Sequence, residues 1–275
     1  MKAEGPVFQN GKEIPLWPSV PVLHHAQSRA DCPTITPCFP PVWKANGKAL
    51  IIYPGGAYIG LAEHEGRGYA EYFSAQGFFC FVVKYRRGGK DNGYHHPVEL
   101  CDAARSVRMV RSASAELGIR SDCIGVVGSS AGGHLAASVG NMHEQALKAK
   151  DEGPTAEVSS RPDFTILCYA VISSDPACWN RCSFLNLLGE ADFMEENCRA
   201  LSQELLVTKQ TPPAFLWHTM EDTGVPCENS ILYAKALRRA NVPFELHIYE
   251  KGAHGQGLFH GHPWAAECIR WLNRF

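Results

Sequence analysis

The sequence has no excess of either charge: 26 Lys and Arg stand against 28 Asp and Glu, a net charge of -2. So balanced a surface offers no cationic field to phosphates or to an anionic bilayer, so neither nucleic acid nor membrane is expected as a partner. No apolar run approaches the length of a membrane span. Met1 to Pro18 contain Lys2, Glu4, Lys12 and Glu13 and no run of seven apolar residues, so the hydrophobic segment of a secretory leader is missing. The eleven cysteines form no CxxC pair. Their closest pairs, Cys178 with Cys182 and Cys32 with Cys38, lack zinc-ligand spacing, so neither a metal nor a disulfide framework is expected. Most read as small buried hydrophobes in a reducing compartment, the cytoplasm. Internal repeats, low-complexity tracts and interdomain linkers are also absent.

What is present is a chain of 275 residues, 45% hydrophobic, enough for a large core and read as one domain over 1–275. Short apolar runs at Ala49 to Tyr53, Phe78 to Tyr85, Cys123 to Val127, Phe164 to Ile172, Ala214 to His218 and Phe244 to Tyr249 predict strands. Between and after them, Gly66 to Gln76, Pro97 to Leu117, Ala131 to Asn141, Pro226 to Asn241 and Pro263 to Phe275 predict helices. Strands alternating with helices predict an α/β fold, a mainly parallel sheet covered on both faces. In the second helix Val98, Cys101, Ala104, Val107 and Val110 make the apolar stripe, and Arg105, Arg108 and Arg111 read as a solvated face. Two stretches interrupt the alternation. Residues 143–160 read as a helical excursion ending at Gly153-Pro154. Residues 173–211, with Trp179, Phe184, Leu185, Leu187, Leu188 and Phe193, read as a cap over a site or as an ordinary packed connection.

The chemistry concentrates at Gly128-Ser129-Ser130-Ala131-Gly132, where a buried strand runs into a helix of small residues. A GxSxG turn in that setting presents its serine on a strained backbone, and strand and helix approach only if both flanking positions are small. Ser130 is the candidate nucleophile. The helix that starts behind it aims unpaired N–H groups at the place where an oxyanion would form, Ala131 foremost. A serine hydroxyl needs a base, and the base needs a carboxylate to hold it. Of His134, His143, His218, His247, His254, His260 and His262, His254 in the loop Gly252-Ala253-His254-Gly255 is best placed, between the last strand and the last helix. Asp222, after the strand ending at His218, is preferred to Glu221 as the acid, and His218 reads as a structural hydrogen bonder. The other oxyanion donors are expected from Pro54-Gly55-Gly56-Ala57, with Gly55, Gly56 and Ala57 left as alternatives.

With these residues in place the chain resembles the α/β-hydrolase group of acetylxylan-esterase-like and ferulate-esterase-like (BD-FAE-type) carbohydrate esterases. The resemblance is carried by Tyr53 to Tyr58, Val83 to Arg86, Gly128 to Leu135, Ser160 to Phe164, Asn186 to Gly189, Thr211 to Phe215, His218 to Pro226 and Gly252 to Gly255. It covers about residues 34 to 275 and departs where Ala57 replaces a frequent third glycine. It implies Ser130, Asp222 and His254 as a triad, and hydrolysis of acyl esters, acetyl foremost, on carbohydrates such as xylo-oligosaccharides. No cofactor is called for. Tyr58, Glu63, His96 and Trp179, near the predicted loops, are candidates for contact with a sugar, along with His64 and His95. A general short-chain carboxylesterase or an amidase shares the same triad, and a non-catalytic binding protein shares the fold. Whether identical copies associate is left open.

Overall fold

A computed structural model describes residues 6–24, 32–89 and 93–275. Lys2 and Glu4 of the leader reading lie outside them. In chain order the elements are β1 (Ile14–Pro15), β2 (Thr34–Cys38), β3 (Ala49–Tyr53), α1 (Glu63–Ala75), β4 (Phe79–Lys84), α2 (Val98–Ser112), α3 (Ser114–Leu117), β5 (Ile124–Ser129) and α4 (Ser130–Met142). They continue with β6 (Thr165–Cys168), α5 (Arg181–Asp192), α6 (Glu195–Ala200), β7 (Ala214–Thr219), α7 (Glu228–Arg239), β8 (Phe244–Tyr249) and α8 (Trp264–Leu272). The strands form one sheet in the order β1-β2-β4-β3-β5-β6-β7-β8. All pairings from β4 to β8 are parallel, and β2 runs antiparallel to both neighbours. This is the α/β-hydrolase fold.

Both faces of the central strands are buried, which is why these strands are continuous apolar runs. Period-2 geometry then deals their side chains into two cores. Ala49, Ile51 and Tyr53 join Val126 and Leu216 beneath α2, α4 and α7, while Leu50 and Ile52 join Val127, Phe215 and Trp217 beneath α1 and α8. Fully burying one such side chain contributes about 1.5–3 kcal/mol. The chain leaves β3 toward α1 on one face and leaves β5 into α4 on the other. Between the carboxyl ends of β3 and β5 the connections therefore part, and open α/β sheets place their sites in such a crevice.

Several expectations change. The helix predicted over 97–117 breaks at Ala113 into α2 and α3. The strand predicted over 164–172 stops at Cys168, because Tyr169 turns to φ 37° and the Val171 N–H goes to the Ser130 carbonyl at 3.0 Å. Residues 143–160 hold two 3-10 turns, His143–Gln145 and Gly153–Glu157, rather than a regular helix. Gly153, at φ 59°, and Pro154 do not extend an α-helix. The largest correction concerns α2. Arg105 and Arg108 are buried, and both reach Glu152, at 3.0 and 2.9 Å. Arg111 binds Asp163 at 2.8 Å and the carbonyls of Ser121, Ser159 and Arg161. The face is covered because Leu16 and the 143–160 stretch fold over it, the Leu16 carbonyl accepting from Arg105 Nε at 2.8 Å. Seven of the cysteines are buried, Cys38 and Cys227 are half-buried, and Cys32 and Cys182 are exposed.

Candidate active site

Ser130 sits at the junction of β5 and α4 with φ 53°, a left-handed conformation that costs a non-glycine residue about 1 kcal/mol or more. The flanking glycines make the turn sterically feasible. A methyl on Gly128 would lie 2.0 Å from the Gly132 carbonyl oxygen, and one on Gly132 would lie 2.1 Å from that of Tyr53. The first N–H groups of α4 have no partner within the helix, so Ala131 presents a donor and the positive end of the helix dipole beside Ser130.

His254, in the loop after β8, places Nε2 2.8 Å from Ser130 Oγ and Nδ1 2.6 Å from Asp222 Oδ2. The other carboxylate oxygen of Asp222 accepts the Gly224 and Val225 N–H groups at 3.0 and 2.8 Å. His218 Nε2 donates to the Val225 carbonyl at 2.8 Å and lies 3.4 Å from Asp222 Oδ2, so its Nδ1 accepts from Ser230 Oγ at 2.8 Å. Burial by itself raises the Asp222 carboxyl. The hydrogen bonds of His218 and His254, the His254 charge and the Val225 N–H outweigh burial and hold Asp222 well below the ordinary carboxylate range. An ionised Asp222 fixes the His254 proton on Nδ1 and leaves Nε2 free to accept from Ser130. Glu221, the rejected alternative, points to solvent, where Lys251 Nζ donates to it at 2.8 Å.

The loop after β3 packs against this serine. A methyl on Gly55 would come 3.0 Å from Ser130 Cβ and 2.6 Å from Glu65 Oε2. The Gly55 N–H already donates to Glu65 Oε2 at 2.7 Å, which removes Gly55 from the expected oxyanion donors. Among the described residues the Gly56 and Ala57 N–H groups take no acceptor, and they remain as candidates. Ala57 and Tyr58 hold φ of 51° and 62°, which explains the physical advantage of glycine at position 57. The strained loop is fixed from two sides. Asn186 of α5 donates to the Ala57 carbonyl at 2.8 Å, and the Tyr58 hydroxyl meets His134 Nδ1 at 2.8 Å.

The sequence model of the BD-FAE family matches residues 38–237, a span that includes Ser130 and Asp222 and ends before His254. The chain belongs to the BD-FAE family. A solved relative of similar size, an acetyl ester-xyloside bifunctional hydrolase from Caldicellulosiruptor lactoaceticus, superposes with a TM-score of 0.86 at 37% identity, covering 98% of this chain and 97% of that one. Endo-1,4-beta-xylanase B of Butyrivibrio fibrisolvens is 35% identical over 75% of this chain and 32% of its own length. Acetylxylan esterase of Xylanibacter ruminicola is 31% identical over 80% of this chain and 43% of its own length. The chain thus spans less than half the length of these two relatives.

The residues considered for sugar contact are dispersed in this BD-FAE chain. Tyr58 is corrected to a core residue: it is 1% exposed and its hydroxyl is taken by His134. Glu63 is exposed at the start of α1. His96 is half-buried, tied through its backbone N–H to the Leu187 carbonyl at 2.8 Å, and burial lowers its imidazole to about 4, so it is neutral at pH 7. Trp179 stacks on Phe193 and lines a cavity of about 600 Å³ between the 173–211 stretch and α7. That cavity includes none of Ser130, Asp222 or His254. The parts played by Asn186, His134 and Glu65 are not among the expectations from sequence. Asn186 and His134 fall in segments that carry the family resemblance, and Glu65 shares the α1 stripe of Tyr69 and Phe73. Glu245, His247 and Glu267 lie close enough to ligate a metal, but Arg270 already binds Glu245 and Glu267. No helix among the described residues is long and apolar enough to cross a membrane.

Proposed function

We propose that the chain is a serine carboxylesterase that removes acyl groups, acetyl foremost, from short carbohydrate esters. The observation that carries this reading is the continuous contact from Asp222 through His254 to Ser130, 2.6 and 2.8 Å, on a strained elbow beside the N–H groups of Ala131, Gly56 and Ala57. His254 Nε2 takes the Ser130 proton as Oγ attacks the ester carbonyl. The tetrahedral oxyanion is held by the Ala131 N–H and by Gly56 or Ala57. His254 then returns its proton to the departing alcohol, leaving an acyl-enzyme that water, activated by His254, hydrolyses. Each oxyanion donor is worth on the order of 3 kcal/mol of barrier.

The sugar part of the reading draws on the relatives named for acetylated xylan and xylosides, and an acetylated xylo-oligosaccharide is the substrate put forward. The free thiols, seven of them buried, favour a reducing compartment, so the cytoplasm and a short imported oligosaccharide are proposed together. Replacing Ser130 with Ala should lower p-nitrophenyl acetate turnover by at least about 1,000-fold. Residual activity within tenfold of wild type sinks the assignment. Acetate release from a panel of acetylated xylo-, manno- and gluco-oligosaccharides, run beside matched amides, tests the substrate class.

A further inference from the structure

Glu65 is a buried carboxylate that the relay described above does not use. It lies on the inner stripe of α1 and is 2% exposed. Its two oxygens reach two different parts of the site. Oε2 accepts the Gly55 N–H at 2.7 Å, and Oε1 accepts the Tyr169 hydroxyl proton at 2.7 Å. The Tyr169 oxygen in turn accepts the Gly257 N–H at 3.0 Å, and its ring stands edge-on to His254 with centroids 5.1 Å apart. The neighbouring His64 donates from Nε2 to the Gly255 carbonyl at 2.6 Å. One turn of α1 therefore grips both the oxyanion loop and the loop that carries His254.

We propose that Glu65 is a positioning residue for ester hydrolysis, its carboxylate fixing the oxyanion loop through Gly55 and the His254 loop through Tyr169 while placing a second negative charge behind the imidazolium. The proposal rests on the esterase reading of Ser130. Both partners of Glu65 are donors, one of them a backbone N–H that can do nothing else, so the ionised form satisfies the pair and a protonated oxygen would oppose it. Burial raises the Glu65 carboxyl, and the Tyr169 hydroxyl, the Gly55 N–H and the charges of His64 and His254 pull it back without cancelling the rise. The titratable groups facing Glu65 are Tyr169 and Cys168 at the end of β6, His64 and Tyr69 on α1, Tyr85 after β4, and His254. Those facing His254 are Asp222, Tyr169 and Glu65 itself, with the Ser130 hydroxyl at Nε2. Gly55 fits the same account, since any side chain there would collide with Glu65.

Two variants separate geometry from charge. Glu65→Ala removes both grips and should lower kcat for p-nitrophenyl acetate by about 100-fold with KM changed by less than about threefold, the signature of a misplaced oxyanion donor. Glu65→Gln can still accept the Gly55 N–H and should keep kcat within about fivefold at its plateau. Losing the charge disfavours protonated His254, so the acid limb of its kcat/KM profile should move down by about 0.5 pH unit. A purely structural glutamate would not move that limb. Folded Glu65→Ala with kcat within threefold of wild type, or a Glu65→Gln limb superimposable on wild type, overturns the proposal. Should Glu65→Ala fail to fold, Tyr169→Phe keeps the ring and removes the hydroxyl link. It should lower kcat about tenfold, and wild-type kcat there likewise overturns the idea. Ser130→Ala run in parallel tests the esterase reading alone, so the two failures are distinguishable.

Discussion

At the residue scale, Asp222 shows how an environment selects a protonation state. It is 4% exposed, and burial alone would favour its neutral form. Two histidines and two backbone N–H groups reverse that preference. Asp222→Asn should therefore lower kcat by about 1,000-fold or more with little change in KM, because an amide facing His254 Nδ1 can donate and so favours the tautomer that cannot take the serine proton. Stopped-flow acylation with p-nitrophenyl acetate measures this, and a loss below tenfold would remove Asp222 from the mechanism. Stability gives a second readout. The folded carboxyl is depressed, so its contribution is present above the ordinary carboxylate range, about 4, and is lost as pH falls below that toward the folded value. The gap in melting temperature between wild type and Asp222→Asn should thus be widest near neutrality and narrow in acid.

At the element scale, the 173–211 stretch reaches the site through a side chain. Asn186 on α5 holds the carbonyl of Ala57, in the middle of the strained oxyanion loop. Asn186→Ala should lower kcat about tenfold through loop misplacement while costing about 1 kcal/mol of stability, a lost hydrogen bond's worth. Steady-state kinetics beside urea unfolding would separate the two, and unchanged kcat would mean that the loop holds itself. Elements differed in how far the sequence revealed them. The parallel strands were readable because burial on both faces leaves unbroken runs such as Ala49 to Tyr53. β1 has two residues, and β2 reads Thr-Ile-Thr-Pro-Cys, with a proline that argues against a strand; Pro37 is tolerated because its carbonyl, and so its nitrogen, faces Gly11 rather than β4. The elbow was legible because its glycine spacing is local. The loss of Gly55 as an oxyanion donor was not, since Glu65 reaches it only through packing of α1.

At the scale of the whole molecule, the arginines of α2 show why a helical wheel cannot be read alone. Their positions off the apolar stripe predicted solvent, yet a segment some forty residues later brings Glu152 onto them and the N-terminal segment adds the Leu16 carbonyl. The resulting cluster has two guanidinium groups on one buried carboxylate, and among the described residues Arg108 Nη1 finds no partner. Such a cluster is a weak source of net stability when intact and a severe liability when broken, because removing the carboxylate leaves buried cations without their counter-charge. Glu152→Ala should therefore cost about 3–5 kcal/mol, whereas Glu71→Ala, which breaks the exposed pair with Arg67, should leave the urea midpoint close to that of wild type. Urea midpoints of the two variants measure the contrast, with kcat of the folded protein expected to hold in both. Equal midpoints would mean that the α2 face is hydrated in solution and that the first reading of Arg105 and Arg108 as a solvated face describes the molecule better.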